Sequence, residues 1–176
     1  MRCKTFTLAM PLRTASPNLC AHLPLSPAES TALAALARRL RQLAQAGALP
    51  PLLRGRNIGL LRGSHDGEAP ALLVQAAREL GAQVATLRWH LSAASAPGEV
   101  QHTGRMLGRL YDALVCQGMS PAQVREVGLA AGIPVFDDIA ADNHPSARLA
   151  DALGGEAPPA GNRFFVLQAL LVDGLS

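Results

Sequence analysis

The sequence predicts an α/β domain: a three-layer sandwich with a parallel sheet of about four strands, helices on both faces and a returning C-terminal helix. Three observations carry that expectation. The runs "NIGLL" (57–61), "QVATL" (83–87), "DALVC" (112–116) and "IPVFDDI" (133–139) are short and bounded by turn residues, as strands of a covered sheet are. Each is followed by a stretch of helical periodicity, the alternation that builds a mainly parallel sheet. The chain has 176 residues, 49% hydrophobic and 3% aromatic, enough for one core built from Ala, Leu and Val and too few for two.

Residues 1–18 read as a disordered or loosely docked N-terminal segment. Arg2, Lys4 and Arg13 give it charge without acids, and Pro11 and Arg13 interrupt any signal-peptide core. The first helix is predicted over 27–46. Ser26 is its N-cap, Pro27 suits the first helical position, Glu29 sits at N3 and Gly47 stops it. Leu33, Leu36, Leu40 and Leu43 form its apolar stripe, and Arg38, Arg39 and Arg41 read as its solvated face. After the first strand comes the turn "GSHDGE" (63–68), then a helix from Pro70 to Leu80 closed by Gly81. A helix over 99–111 follows the second strand. Ser120 and Pro121 open another over 120–132, and a short one is expected over 144–154. "GEAPPAG" (155–161) reads as a linker and 162–175 as the final helix.

Several function classes are excluded at this level. The formal charge of +3 arises from 16 basic and 13 acidic residues, and no aromatic residues accompany the arginine cluster, so no nucleic-acid surface is expected. No apolar run approaches the ~20 residues that span a bilayer. Cys3, Cys20 and Cys116 are odd in number and widely spaced, which argues for a reducing, cytoplasmic setting and against disulfides or a zinc knuckle. Cys20 and His22 lack a second ligand pair. A charged fraction of 16% favours an oligomer.

Ligands of such sheets bind outside the carboxyl ends of the strands. That singles out the corners 62–68, 88–98, 117–120 and 140–147. At those corners the chain resembles the carbamoyl-phosphate-binding half of the aspartate and ornithine carbamoyltransferases. "LLRGRNIGLL", "ARELGAQVATL", "GEVQHTGRMLGRLYDALV" and "GIPVFDDIAADNHPSARLAD" match family segments in order, over about residues 19–153. "GNRFFVLQALLVDGL" resembles the C-terminal helix of the ornithine enzymes. In the family an amino-acid-binding domain separates these last two segments; here only "GGEAPPA" does. The resemblance therefore implies a 19–154 carbamoyl-phosphate-binding-like domain, a linker in place of the second domain, and a helix at 162–175 packed back.

The resemblance also implies a site. In the family, carbamoyl phosphate is held by a "S-T-R-T-R" turn, an Arg after the third strand, and the His and Gln of "HPxQ". A dianion calls for guanidinium forks and helix N–H donors. Here Ser64 matches the first Ser, while His65, Asp66, Gly67 and Glu68 replace Thr, Arg, Thr and Arg. Gln117 replaces the later Arg, His144 matches, and Ala147 replaces the Gln. Like charges ~5 Å apart cost on the order of 1–3 kcal/mol each at effective dielectrics of ~20–40. Pro70 would break a helix started at Ser64, so a start at Asp66 or Gly67 is expected, with Asp66 or Glu68 satisfying its N–H groups.

Other readings of these residues are structural. Ser64 is a turn residue and His144 a helix-start cap. "SHD" is not a triad, because adjacent residues cannot face each other in that way. Asp137, Asp138, Asp142 and His144 read as loop acids beside a histidine rather than a metal site. Trp89 and His90 read either as anchors for a neighbouring subunit or as loop packing. The expectation is a carbamoyltransferase-like protein with a degenerate site, no catalytic residues, no metal and no cofactor. By family analogy it forms a homotrimer, or a hetero-assembly with a full-length carbamoyltransferase. The alternative is a transferase or small-molecule binder using a non-phosphate ligand in the same crevice.

Overall fold

The computed structural model describes residues 18–19, 25–63, 70–90, 95, 97–154 and 159–175. Among the described residues five parallel strands, β1 (Asn18–Leu19), β2 (Asn57–Arg62), β3 (Gln83–Arg88), β4 (Ala113–Gln117) and β5 (Val135–Asp137), lie in the order β1-β5-β4-β2-β3. The helices are α1 (Pro27–Gln45), α2 (Ala71–Glu79), α3 (Pro97–Leu110), α4 (Pro121–Ala131), α5 (Ala147–Ala152) and α6 (Pro159–Leu175).

Side chains alternate across the sheet, which splits the core in two. Ile58, Leu60, Ala113, Val115 and Phe136 pack with α1, α2, α5 and α6. Leu61, Leu114, Cys116 and Val135 pack with α3 and α4. The result is the α/β sandwich expected, with the C-terminal helix α6 against α1, α2 and α5.

Local chemistry explains most element ends. Glu29 N donates to Ser26 Oγ (3.2 Å) and Ser26 N to Glu29 Oε2 (2.8 Å), a reciprocal cap worth ~1 kcal/mol. Ser120 and Gln123 repeat it on α4, which closes on Gly132 at φ 65°. Asp112 secures the opposite rim. Its carboxylate accepts from Asn57 N (2.8 Å) and from Arg56 Nη1 (3.0 Å), and the Asn57 N–H, followed by Arg56, holds its pKa below the ordinary value.

The structure departs from expectation in five places. β1 adds a fifth strand from residues expected to stay outside the domain or at its edge; two residues carry no periodicity, and only pairing with Val135 and Phe136 defines them. Helix α2 begins at Ala71, within a residue of the Pro70 start read from periodicity but later than the Asp66 or Gly67 start read from the family turn, with Pro70 at N-cap and no side-chain cap bond from it. The ring fixes φ near −65°, which also suits a cap position. α5 is shorter than 144–154, because turns occupy 144–146. α6 begins inside the expected linker, since Pro159 suits a helix start. The arginines of α1 are not simply solvated. Arg41 Nη1 donates to Gly154 O (2.7 Å) and Asn162 Oδ1 (2.8 Å), and Arg38 Nη2 to Ala152 O (3.1 Å), which ties α1 to the α5–α6 junction.

Candidate functional site

β2 lies between β3 and β4, with α2 leaving to one face and α3 covering the other. This is the topological switch point, and the crevice outside the carboxyl ends of β2 and β4 is where the fold places a ligand. The backbone there is drawn tightly together. Gly63 N donates to Gln117 O (2.8 Å), and Trp89 N donates to Arg62 O (2.7 Å). A Cβ added at Gly63 would stand 2.2 Å from the Gly118 carbonyl oxygen, and Gly118 itself has φ 63°, so both positions require glycine.

Of the implied binding set, Ser64, His65, Asp66, Gly67 and Glu68 lie outside the described residues. Gln117, His144 and Ala147 are placed, at the ends of β4 and in the β5–α5 corner. Gln117 is half-buried, and its Oε1 is buried with no hydrogen-bond partner among the described residues. Ala147 is the first residue of α5 and brings no side-chain donor.

His144 is 4% exposed. Its Nδ1 accepts from Ser146 N (3.2 Å) and lies 2.7 Å from Ser146 Oγ. Burial first, then the Arg163 charge, lower its pKa to about 4, so the ring is neutral at neutral pH. It does not cap α5, whose N-cap is Ser146. Arg163, from α6, donates to Ser146 Oγ (2.9 Å), Ala141 O (3.2 Å) and Ile139 O. Burial lowers the Arg163 pKa, and Asp142 opposes that shift. Sequence reasoning missed Arg163; its signal was a lone cation at the start of an otherwise apolar helix.

Asp137 and Asp138 of this corner are structural, while Asp142 is exposed. Asp138 takes φ 50°, its N–H donates to Cys116 O (2.8 Å), and its Oδ1 accepts from Gly118 N (3.3 Å). Asp137 is buried, and burial together with Asp137 and Asp138 raises the Cys116 thiol well above the ordinary range. Among the described residues no group of three or more His, Cys, Asp or Glu is disposed to hold a metal ion. Trp89 is 6% exposed and packs into the α3/α4 core of its own domain; its Nε1 has no partner among the described residues. His90 is exposed. Arg62 and Arg88, opposite one another in register at the carboxyl edge, were also missed, although both end their strand segments.

Of the three placed positions, 117 carries an amide where the resemblance implies a cation, 144 keeps its imidazole in neutral form and 147 has a methyl in place of an amide. Among the described residues no helix is long and apolar enough to cross a membrane.

Comparison with known proteins bears directly on this site. The family description "Aspartate/ornithine carbamoyltransferase, carbamoyl-P binding domain" matches residues 18–154. Ornithine carbamoyltransferase of Cutibacterium acnes is 34% identical over 121 residues, covering 69% of this chain and 36% of that protein. The catabolic ornithine carbamoyltransferase of Haemophilus influenzae is 32% identical over 118 residues, covering 67% and 35%. The chain thus spans about a third of the length of these curated relatives. Among solved structures, ornithine carbamoyltransferase from Gloeobacter violaceus superposes with a TM-score of 0.56 at 26% identity, covering 78% of this chain and 44% of that one. The catalytic subunit of M. jannaschii aspartate transcarbamoylase gives 0.64 at 21% identity, covering 78% and 46%, a likeness of fold. With the family description matched over most of its length and the same fold in solved members, this chain belongs to the aspartate/ornithine carbamoyltransferase family and carries its carbamoyl-phosphate-binding domain.

Proposed function

We propose that this domain is a non-catalytic member of its family, a pseudoenzyme serving as an assembly or regulatory subunit, and that it does not bind carbamoyl phosphate usefully. The observation that carries the reading is Gln117. At the switch point, where the family pattern has a guanidinium, stands an uncharged amide whose Oε1 is buried and unpartnered among the described residues. Asp66 and Glu68 replace two further arginines in sequence. Three charge-assisted hydrogen bonds lost at ~1.5 kcal/mol each amount to a weakening of about a thousandfold or more. Ala147 removes another donor. Catalysis in this chemistry rests on positioning and electrostatics, so losing the donors leaves no covalent step to fall back on.

A subunit role needs a partner surface. Met106, Leu110 and Leu129 are 47%, 59% and 77% exposed on α3 and α4, and the charged fraction is only 16%. On this reading the chain forms a homotrimer, or assembles with a full-length carbamoyltransferase in the cytoplasm, and needs no metal or cofactor. Linker and returning helix stand in place of the amino-acid domain.

Arg62 and Arg88 favour one rival: a transferase or binder that takes a non-phosphate ligand of amino-acid metabolism, such as a carboxylate, in the same crevice. Calorimetric titration with carbamoyl phosphate tests the proposal, and the same titration with a small carboxylate such as an amino acid tests the rival. The proposal expects no saturable heat with carbamoyl phosphate below millimolar concentration, and micromolar binding would overturn it.

A further inference from the structure

We propose that the open edge of the sheet at β3 pairs with β3 of a second copy of this chain, antiparallel and about a two-fold axis at Thr86. The inference goes beyond the function proposed above and does not depend on it. In the order β1-β5-β4-β2-β3, β3 has a neighbour on one side only among the described residues. The N–H and C=O of a strand residue point to the same side, and the next residue reverses them. Gln83 N donates to Arg56 O (2.8 Å) and Trp89 N to Arg62 O (2.7 Å), so residues 83, 85, 87 and 89 turn their backbone polar groups toward β2. Val84, Thr86 and Arg88 turn theirs outward, where no described strand meets them.

Folded proteins blunt an open edge with a proline, a lysine, a bulge or a covering segment. The β3 sequence QVATLR has no Pro, Lys or Gly. It pairs with β2 in unbroken register from Gln83 to Arg88, and Ala85 and Thr86 are exposed. Val84 and Thr86 are β-branched, the residue type that favours a further strand.

Both flanks of this edge are also uncovered. On one, α2 and Thr86 border a groove lined by Val74, Gln75, Arg78 and Glu79. On the other, α3 exposes Met106 and Leu110. Gly104 and Gly108 of α3 meet α4, which packs toward β5. Two residues on is about 200° round a helix, so Met106 and Leu110 face away from α4 and toward the β3 side.

A second copy of the chain fits this edge. A two-fold at Thr86 opposes Thr86 to its own counterpart and Val84 to Arg88 of the second copy. Each outward residue then meets an outward one and exchanges both hydrogen bonds with it. The charges suit the same arrangement. Glu79 stands at the amino end of the groove, and Arg88 ends the strand on the same face of the sheet as Thr86. Antiparallel pairing sets Arg88 of each copy toward Glu79 of the other, with no like charges opposed along the ladder. The contact closes after two copies, so it does not propagate into a fibre, and it is distinct from a three-fold contact, which it would double.

Light scattering of the purified full chain should give an even multiple of its mass. In hydrogen exchange, the outward amides of Val84, Thr86 and Arg88 should be protected along with those of Ala85 and Leu87. Thr86→Lys sets two ammonium groups against each other at the axis. It should halve the mass and let the outward amides exchange at the rate of exposed ones, while Ala85 and Leu87, bonded to β2, stay protected and show that the fold persists. Thr86→Pro removes an outward donor at an edge position that accepts proline, and should halve the mass as well. An odd multiple, a mass unchanged by Thr86→Lys, or outward amides that exchange freely in the native chain would overturn the proposal.

Discussion

On one face of the sheet, α3 and α4 meet where side chains are missing. A Cβ added at Gly104 would stand 2.6 Å from Ala130 Cβ, and one at Gly108 would stand 2.1 Å from the Ala131 carbonyl oxygen. On the other face, α6 meets the sheet and its neighbours through Val166, Leu167, Leu170 and Leu171, each at most 1% exposed, with Arg163 pinning its first turns. Both faces bury aliphatic surface, yet one achieves contact by close backbone approach and the other by filling volume. A sequence with 3% aromatics makes its second layer in these two ways because Ala, Gly and Leu are its main materials. Each should fail differently, one by crowding and one by cavity formation.

The largest effect is expected on the filled face. Leu170→Ala should lower unfolding free energy by about 2–5 kcal/mol in urea titration, the range for a buried leucine whose cavity cannot collapse. On the crowded face, Gly108→Ala should cost about 1–3 kcal/mol even though alanine is the better helix former, because the neighbour it meets is backbone. A neutral or stabilising result at Gly108 would mean that α3 and α4 slide apart freely, and the contrast between the faces would vanish.

The faces should also differ in pH response. The lowered pKa of His144, about 4, belongs to the filled face. Its ordinary value is near 6.5, so on acidification the unfolded chain takes up this proton first. The contribution is complete above about pH 6.5 and is lost as pH falls toward 4, on the order of 3 kcal/mol. His144→Gln should flatten the stability profile in that window.

The smallest effect is a control. Ser26→Ala on α1 and Ser120→Ala on α4 break the same reciprocal cap on opposite faces, and each should cost about 1 kcal/mol. Unequal losses would show that the faces support their helix ends differently.

These contrasts also show what could be read from the chain. The caps at Ser26 and Ser120, the strands read at 57–61 and 112–116 and the corners at their carboxyl ends were legible, because each depends on local residue types or on periodicity; the switch point among those corners needed the strand order. β1 was not, since only Val135 and Phe136 make it a strand. The late start of α2 was legible in Pro70, although Asp66 or Gly67 understated the delay. The neutral character of Gln117 and Ala147 could be seen by resemblance, whereas the burial of Gln117 Oε1 could not. Arg163 escaped notice because its partners lie 17 to 24 residues earlier, on a turn whose shape exists only once α6 is docked. The glycines of α3 had a readable signal in their four-residue spacing, but their partner helix did not.

Cys116 gives the cysteine count a different meaning. It lies within the sheet, with two carboxylates raising its pKa, so it has neither the thiolate character nor the access that oxidants and disulfide exchange require. It would remain a thiol in an oxidising compartment as readily as in a reducing one. Cys116 therefore enters such chemistry only when β4 is unzipped from its neighbours.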